Sequence, residues 1–250
     1  MGMIILKSKE EVAKIAQASK IVAEVLQELK KNVKAGVTTK ELDCLAEEQI
    51  IKRKGIPAFK GYRKFPATLC VSINDEVVHG IPSKRVIQDG DIVGLDLGVI
   101  FDGFYGDAAF TVAVGNVPSA TQNLLRVAEA SLYAGILEAK LGGRLSNISH
   151  AVQTYAESAG YSLVTDFVGH GIGRNLHEEP QVPNFGPPGK GPRLREGMVL
   201  AIEPMVNMGK SEVKVLEDGW TAVTLDHSLS AHFEHTVAIT CDGPVILSQI

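Results

Sequence analysis

The chain repeats one order of predicted elements, two helices followed by a group of strands, and this repetition limits its fold more than any other feature. Apolar residues recur at helical spacing in four stretches. Thr38 with Glu41 fits a capping box, and Ser146 is a candidate helix cap. The helices are predicted at residues 9–31, 38–55, 121–140 and 146–160.

Strand-like apolar runs follow each pair of helices, with Asp102-Gly103 as a turn signal between two of them. The strands are predicted at residues 67–73, 91–100, 104–114, 198–203, 212–215, 220–225 and 233–240. Runs of helices followed by runs of strands favour an α+β architecture. We therefore predict one domain over residues 1–250, made of two pseudo-symmetric halves at roughly 9–115 and 116–250.

The composition indicates a globular protein without a nucleic-acid or membrane partner. A net charge of −4 over 250 residues does not fit the basic footprint of a nucleic-acid-binding domain. No apolar run approaches the roughly 20 residues that cross a bilayer. The three cysteines are widely spaced and odd in number, which suits a reducing cytosol. We expect a cytoplasmic protein.

Two aspartates occur inside apolar strand-like runs, where an unpaired charge is costly to bury. Asp96 is centred in Ile-Val-Gly-Leu-Asp-Leu-Gly-Val-Ile, and Asp107 lies in Phe-Tyr-Gly-Asp-Ala-Ala-Phe on the next predicted strand. In a hairpin that turns about Phe101-Asp102, the two would face each other with Cβ atoms roughly 4.5–5.5 Å apart. Two such anions repel unless a cation lies between them. A bulge in the turn would break this pairing.

The second half contains a matching pair of acids. Glu203 ends the run Met-Val-Leu-Ala-Ile-Glu before Pro204, which is typical of a strand end, and Glu234 opens Phe-Glu-His-Thr-Val-Ala-Ile. Any one of these acids alone is more simply an outward-facing strand residue. Four acids in matching contexts of two matching halves favour a common site.

Three histidines accompany glycine-rich or turn segments. His170 and His177 flank Gly-His-Gly-Ile-Gly-Arg-Asn-Leu-His, which is too rich in glycine for a helix and predicts a loop crossing close to a site. His79 precedes Gly-Ile-Pro, a turn context in which a lone histidine is more often structural. The remaining histidines carry no such signal and are predicted to be structural: His150, His227, His232 and His235.

Four carboxylates and one imidazole form an oxygen-rich donor set. This set suits Mn, Fe, Co or Zn and lacks the thiolates of structural zinc sites. Two divalent cations would neutralise the four negative charges. Two metals about 3.5–4 Å apart can share a water whose pKa falls toward neutrality. The predicted reaction class is therefore hydrolysis by a hydroxide bound between two metals.

These motifs resemble those of the bacterial-type (type I) methionine aminopeptidases, which have the pita-bread fold. The resemblance covers nearly the whole chain and is highly specific in motif order and spacing. The motifs are Ser72-Ile-Asn-Asp-Glu-Val-Val-His79-Gly-Ile-Pro, Asp96-Leu-Gly with Asp107, Gly169-His-Gly-Ile-Gly-Arg with His177-Glu-Glu-Pro, Ala201-Ile-Glu-Pro-Met, and Glu234-His-Thr. The resemblance implies a single catalytic domain that removes the initiator methionine from nascent proteins.

The resemblance also implies roles for individual residues. The divalent ions would be held by Asp96, Asp107, His170, Glu203 and Glu234, with Asp107 and Glu234 bridging. His79 and His177 would contact the scissile amide and its leaving side. Glu203 would also carry a proton from the bridging water to the leaving amine.

An apolar pocket for the methionine side chain is implied as well, although its residues could equally be ordinary core. The pocket residues would be Phe59, Tyr62, Phe65, Cys70, Leu176 and Trp220. Phe59, Arg63 and Leu176 stand where cysteine, histidine and an aromatic residue are common in bacterial members. The resemblance further implies a monomer, transient ribosome contact, and a monovalent cation near Asn74, Glu76 and Ser230.

Three other interpretations stay open on sequence alone. A proline-specific peptidase of the same fold carries nearly the same ligands but normally has an additional N-terminal domain, whereas the helical pattern here begins near Lys9. Creatinase-like members do not keep the metal set. A non-catalytic pita-bread module that binds proteins, nucleic acid or a ribosome would lose ligands. The presence of all five ligands and both auxiliary histidines favours the peptidase.

Overall fold

The computed structural model describes residues 2–249, so Met1 and Ile250, the ends of the predicted domain, lie outside the described residues. The four predicted helices are confirmed to within a few residues. They are α1 (Lys9–Asn32), α2 (Thr39–Lys52), α3 (Ser119–Leu137) and α4 (Leu145–Ser158). Among residues 2–249, no helix combines the length and apolarity required to span a membrane.

Helix capping follows the sequence signals at α2 but not at α4. The Thr38–Glu41 capping box is present, with reciprocal side-chain and backbone hydrogen bonds. The prediction of Ser146 as a cap is wrong, because α4 begins after Arg144 with no side-chain cap. The Ser146 hydroxyl instead accepts a hydrogen bond from the Lys190 amide at 2.7 Å, which ties the helix to a distant loop.

The strands of the first half are β1 (Ile56–Pro57), β2 (Leu69–Ile73), β3 (Glu76–Val78), β4 (Ile92–Phe101) and β5 (Phe104–Ala113), with a short 3₁₀ helix at Tyr62–Lys64. Those of the second half are β6 (Ser162–Leu163), β7 (Gly169–Gly171), β8 (Glu178–Val182), β9 (Val199–Ile202), β10 (Met205–Asn207), β11 (Val213–Val215), β12 (Ala222–Thr224), β13 (Ser230–His232), β14 (Glu234–Thr240) and β15 (Gly243–Ile246). The sequence analysis did not predict several strands of two or three residues.

One nine-stranded sheet joins the two halves. Its strand order is β1-β4-β5-β14-β9-β7-β8, with β2 also paired to β4 and β15 to β14. The halves meet where β14 pairs with β5, through Glu234 opposite Ala109 and His235 opposite Ala108. Apolar residues of α1 and α2 pack on the first half of the sheet, and those of α3 and α4 pack on the second. This is the α+β arrangement that the repeat predicts.

Two local predictions about the sheet are wrong. The β4–β5 turn lies at Asp102-Gly103, so Asp96 pairs with Ala109 and Asp107 pairs with Gly98. The aspartates are therefore offset by two positions rather than directly opposite, and they still share one face because side chains alternate with a period of two. The segment predicted as a glycine-rich loop begins with strand β7 at Gly169–Gly171.

Candidate metal centre and active site

The four acids reach one site from four neighbouring strands. Asp96 and Asp107 come from β4 and β5, Glu234 opens β14, and Glu203 directly follows β9. Because β5, β14 and β9 are consecutive in the sheet, the acids of both halves converge on its concave side. His170 enters from β7, where it pairs with Ala201 of β9.

These side chains are close enough to share a cation. Asp107, His170 and Glu234 each offer a donor atom, and the three atoms lie within 4.8 Å of one another. Nε2 of His170 lies 3.5 Å from Oε1 of Glu203. Oδ1 of Asp96, Oδ1 of Asp107 and Oε1 of Glu234 are buried and have no hydrogen-bond partner among the described residues. Buried carboxylate oxygens without partners fit a metal centre, because native proteins rarely leave such atoms unsatisfied.

Burial and mutual repulsion make these acids hard to ionise when no cation is present. Burial raises the pKa of Asp96 to about 7. Burial, together with the nearby charge of Glu234, raises the pKa of Asp107 well above its usual value. The pKa values of Glu203 and Glu234 are raised in the same direction, chiefly by burial. A bound cation would lower these pKa values, because it favours the charged carboxylates.

The tautomer of His170 suits a metal ligand. Its Nδ1 lies 3.0 Å from the carbonyl oxygen of Gly171, an acceptor, so Nδ1 carries the hydrogen. Burial lowers the pKa of His170 to about 3, which keeps the ring neutral. Nε2 is therefore an unprotonated lone pair facing the acids, as imidazole ligation requires.

The acids form the floor of a cavity of about 130 Å³. An engineered cavity of about 150 Å³ holds one benzene, so this space suits a single small or linear side chain. The structure brings the predicted divalent-metal ligands, both auxiliary histidines and the predicted pocket residues to this cavity. Its lining comprises Phe59, Tyr62, Arg63, Phe65, Cys70, His79, Asp96, Asp107, His170, Leu176, His177, Glu203, Trp220 and Glu234.

His79 and His177 line different walls. The hydroxyl of Tyr62 lies 2.8 Å from Nδ1 of His177, and the two rings stack at 5.3 Å. His79 meets the edges of Phe167 and Trp220 at centroid distances of 5.4 and 6.0 Å. Burial lowers the pKa of both histidines to about 4, and the charge of Arg63 contributes at His177.

A close backbone approach sets the position of His79. The residue has a left-handed backbone with φ 61°. The amide of Val71 donates to the carbonyl of Gly80 at 2.9 Å. A Cβ at Gly80 would collide with the Val71 carbonyl oxygen, so glycine is required there. The turn context noticed in the sequence therefore has a steric cause.

The apolar part of the cavity wall is tightly packed. Phe65 and Trp220 meet edge to face at 5.1 Å. Phe59 packs against Gly98 of β4, where an added Cβ would lie 2.6 Å from Cε1 of the ring. The bulky residue at position 59 thus depends on the absence of a side chain at position 98.

Sequence reasoning missed His232, which the structure places beside the acids. The residue ends β13 and is 5% exposed. Its Nε2 lies 3.7 Å from Oε2 of Glu203. Burial lowers its pKa to about 3. The sequence offered one signal for His232. It lies two residues before Glu234, and alternate residues of an extended strand share a face.

The predicted monovalent-cation residues lie near one another and do not line the cavity of the acids. The amide of Ser230 donates to the carbonyl of Asn74 at 2.9 Å. The Asn74 side chain contacts Asp91, and Glu76 accepts from the Ile73 amide. Ser230 Oγ is buried and has no partner among the described residues. The cation itself remains a prediction.

The fold and this centre define a hydrolase of the metallopeptidase type, and comparison with known proteins agrees. The profile of "Metallopeptidase family M24" matches residues 13–241. "Methionine aminopeptidase 1" of Bacillus subtilis is 54% identical over 99% of this chain and 100% of its own length. "Methionine aminopeptidase" of Clostridium perfringens is also 54% identical over the same shares.

Solved structures give the same result. The crystal structure of methionine aminopeptidase from Thermotoga maritima has a TM-score of 0.98 and 47% identity, covering 99% of this chain and 100% of that one. Prolidase from Pyrococcus furiosus, at 22% identity and a TM-score of 0.79 over 98% of this chain and 66% of its own, shares the fold. The chain therefore belongs to metallopeptidase family M24, and within it to the methionine aminopeptidases. The predicted pita-bread fold is confirmed.

Proposed function

We propose that this protein removes the N-terminal methionine of nascent proteins and peptides by hydrolysis at a dinuclear divalent-metal centre. The ligands would be Asp96, Asp107, His170, Glu203 and Glu234. The observation that carries the proposal is the convergence of two buried acids, two half-buried acids and a lone-pair histidine on one small cavity with an apolar wall. The names of the relatives support the substrate.

Four acids match the charge of two divalent ions, which supports a dinuclear centre. When bound, the ions would supply Lewis acidity and lower the pKa of a water held among these carboxylates. Glu203 would accept a proton from that water at a carboxylate oxygen and deliver it to the leaving amine. Its position suits this role, because its carboxylate lines the cavity beside the other acids and His170.

The two auxiliary histidines would orient the peptide. With the Tyr62 hydroxyl donating to Nδ1 of His177, Nε2–H of His177 is a donor for the scissile carbonyl and the charge that develops on it. His79 would contact the peptide on the leaving side of the amide. Low pKa values keep both rings neutral at pH 7, so each offers one N–H and one acceptor.

The apolar wall would select the side chain. A thioether gains mainly dispersion and sulfur–aromatic contact, which Phe59, Phe65 and Trp220 can supply. Tyr62, Cys70 and Leu176 complete the wall. Cys70 would act as a buried apolar contact, because burial raises the pKa of its thiol well above the usual value.

Peptide turnover with defined metals tests the function. The protein would be stripped of metal, reloaded with Mn, Co, Fe or Zn, and assayed on Met-Ala-Ser and on Xaa-Pro peptides. We expect metal-dependent release of methionine, abolished by Asp96→Ala and Glu203→Ala and kept by the surface variant Glu157→Ala. Cleavage before proline alone would move the protein to the proline-specific branch. Bound metal without turnover of any peptide would refute the enzyme.

We also propose a cytoplasmic monomer that contacts ribosomes transiently and holds a monovalent cation near Asn74, Glu76 and Ser230. The family resemblance supports these points, and the unpartnered Ser230 hydroxyl supports the cation. Light scattering after size exclusion measures the mass, and cosedimentation tests ribosome contact. Calorimetric titration counts the divalent ions, with two per chain as the expected result.

A further inference from the structure

The imidazole of His232 is aimed at Glu203 and has no role in the chemistry described above. Its side chain is buried, and Nε2 has no hydrogen-bond partner among residues 2–249. The nearest charged atom that the structure pairs with it is Oε2 of Glu203, at 3.7 Å. Buried polar atoms in native proteins nearly always have a hydrogen-bond partner. The geometry leaves the Glu203 carboxylate as that partner.

A comparison with His170 shows why His232 fits the role of donor. Both rings place Nε2 beside Glu203, His170 at 3.5 Å from Oε1 and His232 at 3.7 Å from Oε2. His170 carries its hydrogen on Nδ1, which donates to the Gly171 carbonyl, so its Nε2 cannot donate in the neutral ring. Of these two rings, only His232 is free to carry the hydrogen on Nε2.

The backbone of His232 is held by a threonine of the other half. The Thr111 hydroxyl on β5 accepts from the His232 amide at 3.0 Å and donates to the His232 carbonyl at 2.8 Å. The Thr236 hydroxyl makes the same double contact with the Asp107 backbone, at 3.2 and 2.7 Å. The two bridges flank the short β5–β14 ladder on opposite sides. In each bridge, a threonine hydroxyl stands in place of a pair of backbone hydrogen bonds between the two strands.

We propose that His232 is a positioning residue that donates from Nε2 to Oε2 of Glu203 and so holds the carboxylate with Oε1 toward His170. This rests on the proposed role of Glu203 as ligand and proton carrier. A shortening of about 0.5 Å brings the two atoms to hydrogen-bond distance. Thr111, in the first half, holds the backbone of His232. The Glu203 carboxylate of the second half is therefore oriented through a residue that is anchored to the first half.

Nuclear magnetic resonance of the ¹⁵N-histidine-labelled, zinc-loaded protein tests the contact without using turnover. The His232 signals are assigned by their loss in His232→Gln. We expect the Nε2–H tautomer at His232, the Nδ1–H tautomer at His170, and a shifted His232 Nε2 resonance in Glu203→Gln. The surface variant His150→Gln should leave the His232 signal in place. An Nδ1–H tautomer at His232, or no response to Glu203→Gln, would overturn the proposal.

Kinetics of matched variants test the consequence. His232→Leu should lower kcat by about 10–100-fold with little change in KM, the range seen when a group that orients a ligand is removed. His232→Gln keeps an N–H of similar reach and should retain most of kcat. Equal losses in both variants, or no loss in His232→Leu, would contradict positioning. Calorimetry should show unchanged zinc stoichiometry in His232→Leu, since a lost ion would make His232 a ligand.

These readouts separate this inference from the proposed function. If the wild-type protein releases no methionine but His232 shows the expected tautomer and response, the contact stands and the activity falls. If methionine is released but the tautomer is reversed, the activity stands and the positioning role falls.

Discussion

Asp96 and Asp107 share one face of the β4–β5 hairpin but are offset by two positions along it. Asp96 pairs with Ala109, and Asp107 pairs with Gly98. Diagonal neighbours on a sheet lie roughly 7–8 Å apart, farther than directly opposite residues. The offset therefore leaves space between the two carboxylates, while both still line one cavity.

The buried acids should contribute less to the stability of the metal-free protein as the pH rises. Burial raises the pKa of Asp96 to about 7, and those of Asp107 and Glu234 lie well above their usual range. An acid with a raised folded-state pKa contributes stability below its unfolded pKa of about 4 and loses it as pH rises through the folded value. The buried histidines act in the opposite sense, because pKa values lowered to about 3 or 4 make the folded state gain stability as the pH rises. We therefore expect the acids to lower the Tm of the stripped protein between about pH 4 and pH 7 relative to a variant that lacks them.

Two controls isolate the acids as the cause. The double variant Asp96→Asn, Glu234→Gln should show a Tm that falls less, or rises more, with pH in the metal-free state. Zinc-loaded wild-type protein should change in the same direction, because the cation stabilises the ionised carboxylates. Equal slopes in the stripped wild type and the double variant would assign the pH dependence to other groups.

Removal of the Tyr62 hydroxyl should slow the reaction without unfolding the protein. The hydroxyl lies 2.8 Å from Nδ1 of His177, and in the proposed arrangement it donates to that nitrogen and leaves the ring hydrogen on Nε2. We expect Tyr62→Phe to lower kcat by about tenfold, which corresponds to roughly 1.4 kcal/mol and is typical of one hydrogen bond. The matched control is Tyr161→Phe, which removes a hydroxyl that accepts a hydrogen bond from the Asn123 side chain. Equal kcat in the two variants would argue against the tautomer role.

A side chain at position 98 should displace Phe59 into the substrate cavity. The Cβ of Gly98→Ala would lie 2.6 Å from the Phe59 ring, so the ring must move. We expect a higher KM for methionyl peptides, or a stability loss of about 1–3 kcal/mol typical of overpacking. Gly94→Ala on the same strand is the control, because its Cβ would meet nothing closer than 3.5 Å. Phe59→Leu should rescue Gly98→Ala, and failure to do so would refute the steric cause.

Asp43 should matter to stability far more than the lysine that pairs with it. The buried Asp43 carboxylate accepts from the amides of Thr68 and Leu69 at the start of β2, at 2.8 and 3.1 Å. Asp43→Ala leaves both amides unpaired, which should cost about 2–4 kcal/mol of unfolding free energy. Lys40→Ala removes an exposed partner and should cost under about 1 kcal/mol. Chemical denaturation measures both, and similar costs would contradict the buried-amide argument.

Long, periodic elements were predictable, whereas short strands were not. α1 and the β4–β5 hairpin carry many residues in a regular apolar pattern. β6 and β13 have two and three residues, too few for alternation to register. β7 contains two glycines and resembles a loop in composition, yet it pairs with β8 and β9.

The site shows the same division. Acids in apolar strands stand out because burying an unpaired charge is costly, so Asp96 and Glu234 could be found from sequence. His232 offered only its place two residues before Glu234 as a signal, and its importance comes from the fold that brings β13 to Glu203. The register of the hairpin depends on the centre of its turn. A turn at Phe101-Asp102 was predicted, and the structure has it at Asp102-Gly103. The catalytic roles of all these residues remain predictions.

The joining of the halves through β5 and β14 also bears on how the chain folds. The proposed ligands run from Asp96 to Glu234, so the site has a high contact order and forms only after a large loop has closed. A chain with only its first half ordered presents two aspartates of a four-acid set. We therefore expect tight metal uptake only from the finished fold, and it should report the joining of the halves more directly than helix content, which forms locally.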